Sequence, residues 1–310
     1  MKKDIISIAD LVMEEVKDLL ELAREVKAGR KGKGALSGKT LAMIFEKPSL
    51  RTRVTFEVGM YQLGGYAVYL APGDIGLDKR ESVADVARNL SRWVDGIMAR
   101  TFAHRTVVEL AQFASVPVVN ALTDREHPCQ ALACGLTMLE RWGDMKGRKL
   151  VFVGDGNNVA HSLMLLCPLL GMDFVIACPE GYEPKGGIVQ RAEVLARKYG
   201  TSIEILHDSH QAVREADIIY TDVWASMGQE AEREERLKVF RPYQVNAQLL
   251  SEAKPSCVVS HCLPARRGEE ITDDVLDGPQ SVALDEAENR LHVQKALLIR
   301  LMGTITAPEP

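Results

Sequence analysis

The sequence predicts an α/β protein of two domains, each a parallel β-sheet flanked by helices, with the C-terminal helix returning to the first domain. Three observations predict it. Apolar β-type runs of five or six residues alternate with longer segments of 3.6-residue periodicity, the pattern of a parallel sheet covered by helices. At 310 residues the chain is long for one core and suits two of about 150 residues each. Its hydrophobic share of 46% and charged share of 26% are those of an ordinary globular protein.

The opening stretch, MKKDIISIADLVMEEVKDLL, carries acidic residues inside its apolar pattern, so it reads as a helix over about residues 8–28 and not as a signal peptide. Strands are expected at TLAMIF (40–45), YAVYL (66–70), DGIMA (95–99) and VPVVN (116–120). A second series follows at KLVFVG (149–154), FVIAC (174–178), SIEIL (202–206), DIIYT (217–221) and CVVSH (257–261). Helical patterns such as SVADVARNLSRW (82–93) and VQRAEVLARKYG (189–200) lie between them. The divide falls in the helix after His127, through ALACGLTMLERWG (131–143) and the polar DMKGRK. The expected domains are therefore 1–133 and 134–285, with EAENRLHVQKALLIRLMG in the segment 286–310 packing back on the first.

Composition also excludes classes. A net charge of −5 disfavours a nucleic-acid surface. No apolar run reaches the ~18–20 residues of a membrane span. The six cysteines, at 129, 134, 167, 178, 257 and 262, form no CxxC pair, which fits reduced thiols in a cytoplasm better than a disulfide framework or structural zinc.

Ligands of parallel sheets sit beyond the carboxyl ends of the strands, so those ends carry the chemistry. After TLAMIF comes EKPSLRTR, where Pro48 presets a turn and SLRTR opens a helix. Free amides of a first helical turn bind oxyanions, Ser49 and Thr52 add hydroxyl donors, and Arg51 adds a planar fork. An N-cap serine beside two solvated arginines fits the same spacing. Arg100 ends the next run, where it either joins that anion or is a solvated charge. In EHPCQAL, His127 and Gln130 can offer donors to a carbonyl oxygen and an amide, or act as a cap and a surface residue.

The second series repeats the pattern. GDGNNVAHS has Gly154 and Gly156 but Val159 where a dinucleotide loop needs its third glycine, so Asn157 and Asn158 are candidates to present amides to a polar ligand instead. Asp222, then a Ser-Met-Gly turn at 226–228, suits an ammonium and a carboxylate, or an Asx-turn with Met227 as packing. Cys262, in HCLPARRGEE, is a nucleophile, a proton-handling group or an apolar thiol. Arg290 follows Glu286 by four residues, the spacing of a surface ion pair on a helix.

Together S-x-R-T-R (49–53), H-P-C-Q (127–130), D-x-x-x-S-M-G (222–228) and H-C-L-P (261–264), in that order, resemble the aspartate/ornithine carbamoyltransferase family over nearly the whole chain. The last two motifs are similar to its ornithine-specific branch. The resemblance implies transfer of a carbamoyl group from carbamoyl phosphate to the δ-amine of L-ornithine, giving L-citrulline and phosphate. It implies no metal or organic cofactor, a cytoplasmic enzyme, and a homotrimer or a multiple of it.

Position by position, the resemblance assigns the phosphate to Ser49, Leu50 through its amide, Arg51 and Thr52. Arg100 would bridge phosphate and carbonyl oxygen, and His127 and Gln130 would hold the carbamoyl group. Asn158, Asp222, Ser226 and Met227 would bind ornithine, Cys262 and Leu263 would lie at the reacting amines, and Arg290 would approach from the last helix. Arg53 would orient the loop. Two positions depart from the family's pattern: Leu50 stands where threonine is usual, and Gly76 stands near where a glutamine reaches the neighbouring subunit's site. The competing readings are a carbamoyltransferase for another amine such as putrescine, a nucleotide-dependent oxidoreductase, and a non-catalytic homologue.

Overall fold

The computed structural model describes residues 4–77, 80–225 and 230–303. The chain divides into two compact units. One runs through Leu136 and takes in the residues from Glu288 onward; the other is Thr137–Ala287.

In the first unit the strands are β1 (Thr40–Phe45), β2 (Tyr66–Leu70), β3 (Gly96–Arg100) and β4 (Val118–Leu122). They form one parallel sheet in the order β2-β1-β3-β4. Each connection is helical: α2 (Leu50–Gln62) follows β1, α3 (Val83–Leu90) follows β2, and α4 (His104–Phe113) follows β3, after an N-terminal α1 (Met13–Lys27). Central strand β1 is apolar along its length because helices cover both faces, and Ala42 and Ile44 pack with Val86, Ile97, Val107 and Leu110 in one core. The chain leaves β1 to one side for β2 and returns on the other for β3. That reversal opens a crevice at the carboxyl ends of β1 and β3.

The second unit repeats the plan. Its strands are β5 (Lys149–Val153), β6 (Asp173–Ala177), β7 (Ile203–Leu206), β8 (Ile218–Thr221) and β9 (Val258–His261), all parallel, in the order β7-β6-β5-β8-β9. The order reverses between β5 and β8. Between the sheets in sequence lies α5 (Pro128–Trp142), and α6 (Asn158–Leu169) and α7 (Gly186–Tyr199) connect β5 to β6 and β6 to β7. Further on come α8 (Arg233–Phe240) and the twenty-residue α9 (Ala283–Met302), whose part from Glu288 belongs to the first unit.

All nine expected strands are present, β1 and β2 with the expected bounds and the other seven with ends shifted by one or two residues. Arg100 lies inside β3, where the register to β4 slips between Ala99 and Arg100. Such a bulge re-aims the side chains beside it. The expected N-terminal helix is broken: Ser7 caps a 3₁₀ turn at Ile8–Asp10, Leu11 is extended, and α1 starts at Met13. Among the described residues no helix is long and apolar enough to cross a membrane.

Candidate active site

The first unit gathers its polar residues at the crevice. Ser49 is the N-cap of α2, extended in backbone, and its Oγ accepts from the Thr52 amide at 3.2 Å. This cap is why the helix begins at Leu50, which is 74% exposed. Thr52 is buried one turn in. Arg290, buried on α9, donates through Nη2 to Thr52 Oγ1 at 2.9 Å and through Nη1 to Gln130 Oε1 at 2.5 Å. One guanidinium thus joins α2, the first turn of α5 and the last helix. It is not the surface partner of Glu286 that the four-residue spacing suggested.

His127 immediately precedes α5, and its carbonyl accepts from the Gln130 and Ala131 amides. Burial holds its imidazole well below the usual 6.5, and the Arg290, Arg100 and Arg51 guanidiniums push it further the same way. The histidine is therefore neutral at pH 7 and stands among three fixed cations. Two buried arginines, Arg100 and Arg290, and the half-buried Arg51 around a neutral imidazole favour a polyanion between them. Arg53, by contrast, is exposed, pairs with Glu57 at 3.1 Å and lies over the Tyr69 ring at 3.7 Å, outside this cluster. Gly76 is left-handed, φ +59°, and ends a helical turn at Pro72–Ile75. That conformation explains why a glycine stands there rather than a glutamine.

The second unit has its own cluster at the β5/β8 crevice. Asp222, just past β8, is buried, and its two oxygens are both held. Oδ1 accepts from the Cys262 thiol at 2.8 Å and from the Val223 amide at 2.8 Å, while Oδ2 accepts from Asn157 Nδ2 at 2.8 Å. Asn157 also caps α6, its Oδ1 accepting from the Val159 and Ala160 amides. Asn158, the residue assigned from sequence, is the first of that helix and half-buried. Gly156 lets this loop pass against 182–184, where a Cβ would run into the backbone of Glu183 and Pro184. Ser226 and Met227 lie outside the described residues.

Sequence reasoning missed the support beneath Cys262. His261 is fully buried, its Nδ1 accepts from the Leu263 amide at 2.8 Å, and its Nε2 sits 3.0 Å from Glu270 Oε1. The accepting Nδ1 fixes the proton on Nε2, which donates to the carboxylate. Glu270 also accepts from the Arg266 amide, so one buried pair shapes the H-C-L-P turn and holds Leu263 at φ +53°. The signal was the histidine beside Cys262; its partner nine residues on had none. Asp222, His261 and Cys262 place three possible metal ligands within 4.8 Å. Both imidazole nitrogens are already engaged, so an ion there would have to displace a hydrogen bond. Four further thiols are remote from such chemistry: burial pushes Cys129 up to about 11, Cys178 and Cys257 up to about 12, and Cys167 higher.

A further ion pair lies beside Asn157. Arg236, buried on α8, reaches Asp155 at 3.2 Å and donates to the Trp224 carbonyl at 2.9 Å. Burial pushes the Asp155 carboxyl up to about 6, although Arg236 pulls it down.

Comparison with known proteins follows the same division. Residues 3–140 match the carbamoyl-P binding domain of aspartate/ornithine carbamoyltransferase, and residues 146–301 match its Asp/Orn binding domain. The chain is 57% identical, over 98% of its length and 97% of the relative's, to an ornithine carbamoyltransferase of Thermococcus kodakarensis. The solved ornithine carbamoyltransferase of Pyrococcus furiosus superposes with a TM-score of 0.95 at 56% identity, covering 98% of both chains. That of Gloeobacter violaceus gives 0.90 at 48%, covering 98% of this chain and 99% of its own. The chain belongs to the aspartate/ornithine carbamoyltransferase family.

Proposed function

We propose that the protein transfers the carbamoyl group of carbamoyl phosphate to the δ-amine of L-ornithine, giving L-citrulline and phosphate. The observation that carries this reading is His127, buried and neutral among Arg51, Arg100 and Arg290, at the start of a helix whose Gln130 shares Arg290 with Thr52. That cluster suits a small, highly charged anion bearing a planar amide. The second substrate is read from Asp222, a buried carboxylate whose orientation Cys262 and Asn157 set, and from the activity that the relatives' names state.

In this reading Ser49, Arg51, Thr52 and the Leu50 amide hold the phosphate. Arg100 spans phosphate and carbonyl oxygen, and His127 and Gln130 grip the carbamoyl end. Asn158, Asp222, Ser226 and Met227 bind ornithine, with Cys262 and the Leu263 carbonyl at its amines. An alkylamine with a pKa near 10 must lose its proton before it attacks. Desolvation beside cationic groups favours that neutral form. Attack then builds charge on the carbonyl oxygen, which Arg100, the His127 N–H and the Thr52 hydroxyl stabilise, each such donor being worth ~3–4 kcal/mol where measured elsewhere. Phosphate leaves, and one of its oxygens accepts the proton that the amine gives up. We place the enzyme in the cytoplasm as a homotrimer, with the loop after β2 near the subunit boundary.

The test is citrulline formation from the two substrates, which folded protein must show. Arg51→Ala is expected to lower turnover by at least ~10²-fold, the loss of one charged donor to the reacting group; a near-normal rate would remove the phosphate clamp. Putrescine, which has no α-carboxylate, is expected to react far more slowly than ornithine in the same assay.

A further inference from the structure

Glu126 stands one residue before His127 and is fully buried, though no motif includes it. Its Oε1 accepts from the Ser7 hydroxyl at 2.5 Å and its Oε2 from the Ile8 amide at 3.0 Å. Ser7 is itself fixed as the cap of the Ile8–Asp10 turn, accepting from the Ala9 amide while its own N–H donates to Asp10. The residues just before it run along the open edge of β4. Ile5 donates to Val118 and its carbonyl accepts from Asn120, the Asn120 side-chain amide donates to the Ile6 carbonyl, and Asp4 accepts from the Val118 amide. The N-terminal segment is thus a strap over the sheet edge, fastened at its far end to a carboxylate beside the candidate catalytic histidine.

The backbone there is equally constrained. The Thr123 amide donates to the Glu126 carbonyl, and Thr123 Oγ1 accepts from the Arg125 and Glu126 amides. Turn and strap together leave the chain one way into α5, the helix that carries His127 and Gln130. Burial raises the Glu126 carboxyl above its ordinary value, a cost that its two donors offset in part. Residues that only need to cap a strand edge have no reason to bury a carboxylate. A rigid connection to the next residue gives one.

We propose that Glu126 is a positioning residue for the carbamoyl end of the anion site, acting through the strap at Asp4–Ile8 on His127 and Gln130. This rests on the assignment of those two residues to the carbamoyl group. It makes a specific demand: the phosphate end, held by the start of α2, should not notice the change.

The experiment compares two ligands by calorimetry on the full chain: phosphonoacetamide, a stable mimic of carbamoyl phosphate, and inorganic phosphate. Glu126→Ala strands two buried donors and is expected to weaken phosphonoacetamide about tenfold, the loss of roughly one charged hydrogen bond, while the dissociation constant for phosphate stays within about twofold. Ser7→Ala, which removes one donor and keeps the carboxylate, is expected to give about a threefold loss with the same selectivity and stands in if Glu126→Ala does not fold. Equal losses for both ligands, or none for either, overturn the proposal. Absence of citrulline from the unaltered chain would instead overturn the functional reading, and the two results are separable.

Discussion

Arg290 holds two side chains at once, so replacing it acts through Gln130 and Thr52 as well as through its own charge. Arg290→Lys keeps the charge but loses the planar fork, and we expect the KM for carbamoyl phosphate to rise about tenfold, with Arg290→Met costing about a hundredfold. Steady-state kinetics at saturating ornithine measures both; unchanged KM in the methionine variant would exclude Arg290 from the site. His127 makes a pH-dependent prediction. Its folded pKa lies below 6.5, so between the two values the unfolded chain binds more protons, and stability falls as pH falls below about 6.5. Asp155 acts oppositely: its folded value of about 6 exceeds the ordinary 3.8, so its contribution is full at low pH and is lost as pH rises through that window. In Asp155→Asn the acid loss from His127 should steepen, and in His127→Gln it should flatten; urea midpoints at pH 5, 6 and 7 read both. Local signals made Ser49, Thr52 and Asp222 visible in the sequence. Arg290 was reached only through the family resemblance, because its partners lie 160 and 238 residues away and local spacing pointed to Glu286 instead. Asn157 and Asn158 were both candidates in the sequence, and Asn157, the first Asn before an apolar helical run, is the one that caps α6.

At the scale of elements, α9 is held at its first turn by a buried carboxylate. Glu286 accepts from Tyr220 on β8 at 2.5 Å and from Ser260 on β9 at 2.6 Å. Those residues stand two positions before Asp222 and Cys262, so the same contact steadies the two strands that deliver the second cluster. Glu286→Ala leaves two buried hydroxyls unmatched, and we expect a loss of about 2–4 kcal/mol in denaturant unfolding, against a much smaller loss for Glu286→Gln. Equal stability of the alanine variant would show that the strands hold their ends without it. The central strands were legible because strands buried on both faces of a parallel sheet read as nearly unbroken apolar runs. Their order was not: nothing local distinguishes β1, central, from β2, at an edge. The register slip at Ala99–Arg100 was equally unreadable, since it arises from how β3 meets β4.

For the whole molecule, the sequence carried the two-sheet plan, while an exposed apolar stripe on the first unit emerges only from the fold. Leu50, Val54 and Tyr61 fall within about 40° of one another around α2 and are exposed by 74%, 45% and 82%. Tyr66, 69% exposed, begins β2, the edge strand of the same unit. An apolar stripe beside an open sheet edge is costly to leave in water and invites a partner. A second copy of this chain is the partner that the proposed trimer requires. The unaltered protein should then sediment at three times 34.2 kDa or a multiple of that mass. Tyr61→Glu, which buries a charge if the stripe is an interface and changes only an exposed side chain if it is not, should shift the protein toward monomer while the monomer stays folded by circular dichroism. Should the native chain sediment as a monomer while making citrulline at full rate, neither the trimer nor a contribution from the neighbouring loop could stand, and the anion site of the first unit would have to be complete within one chain.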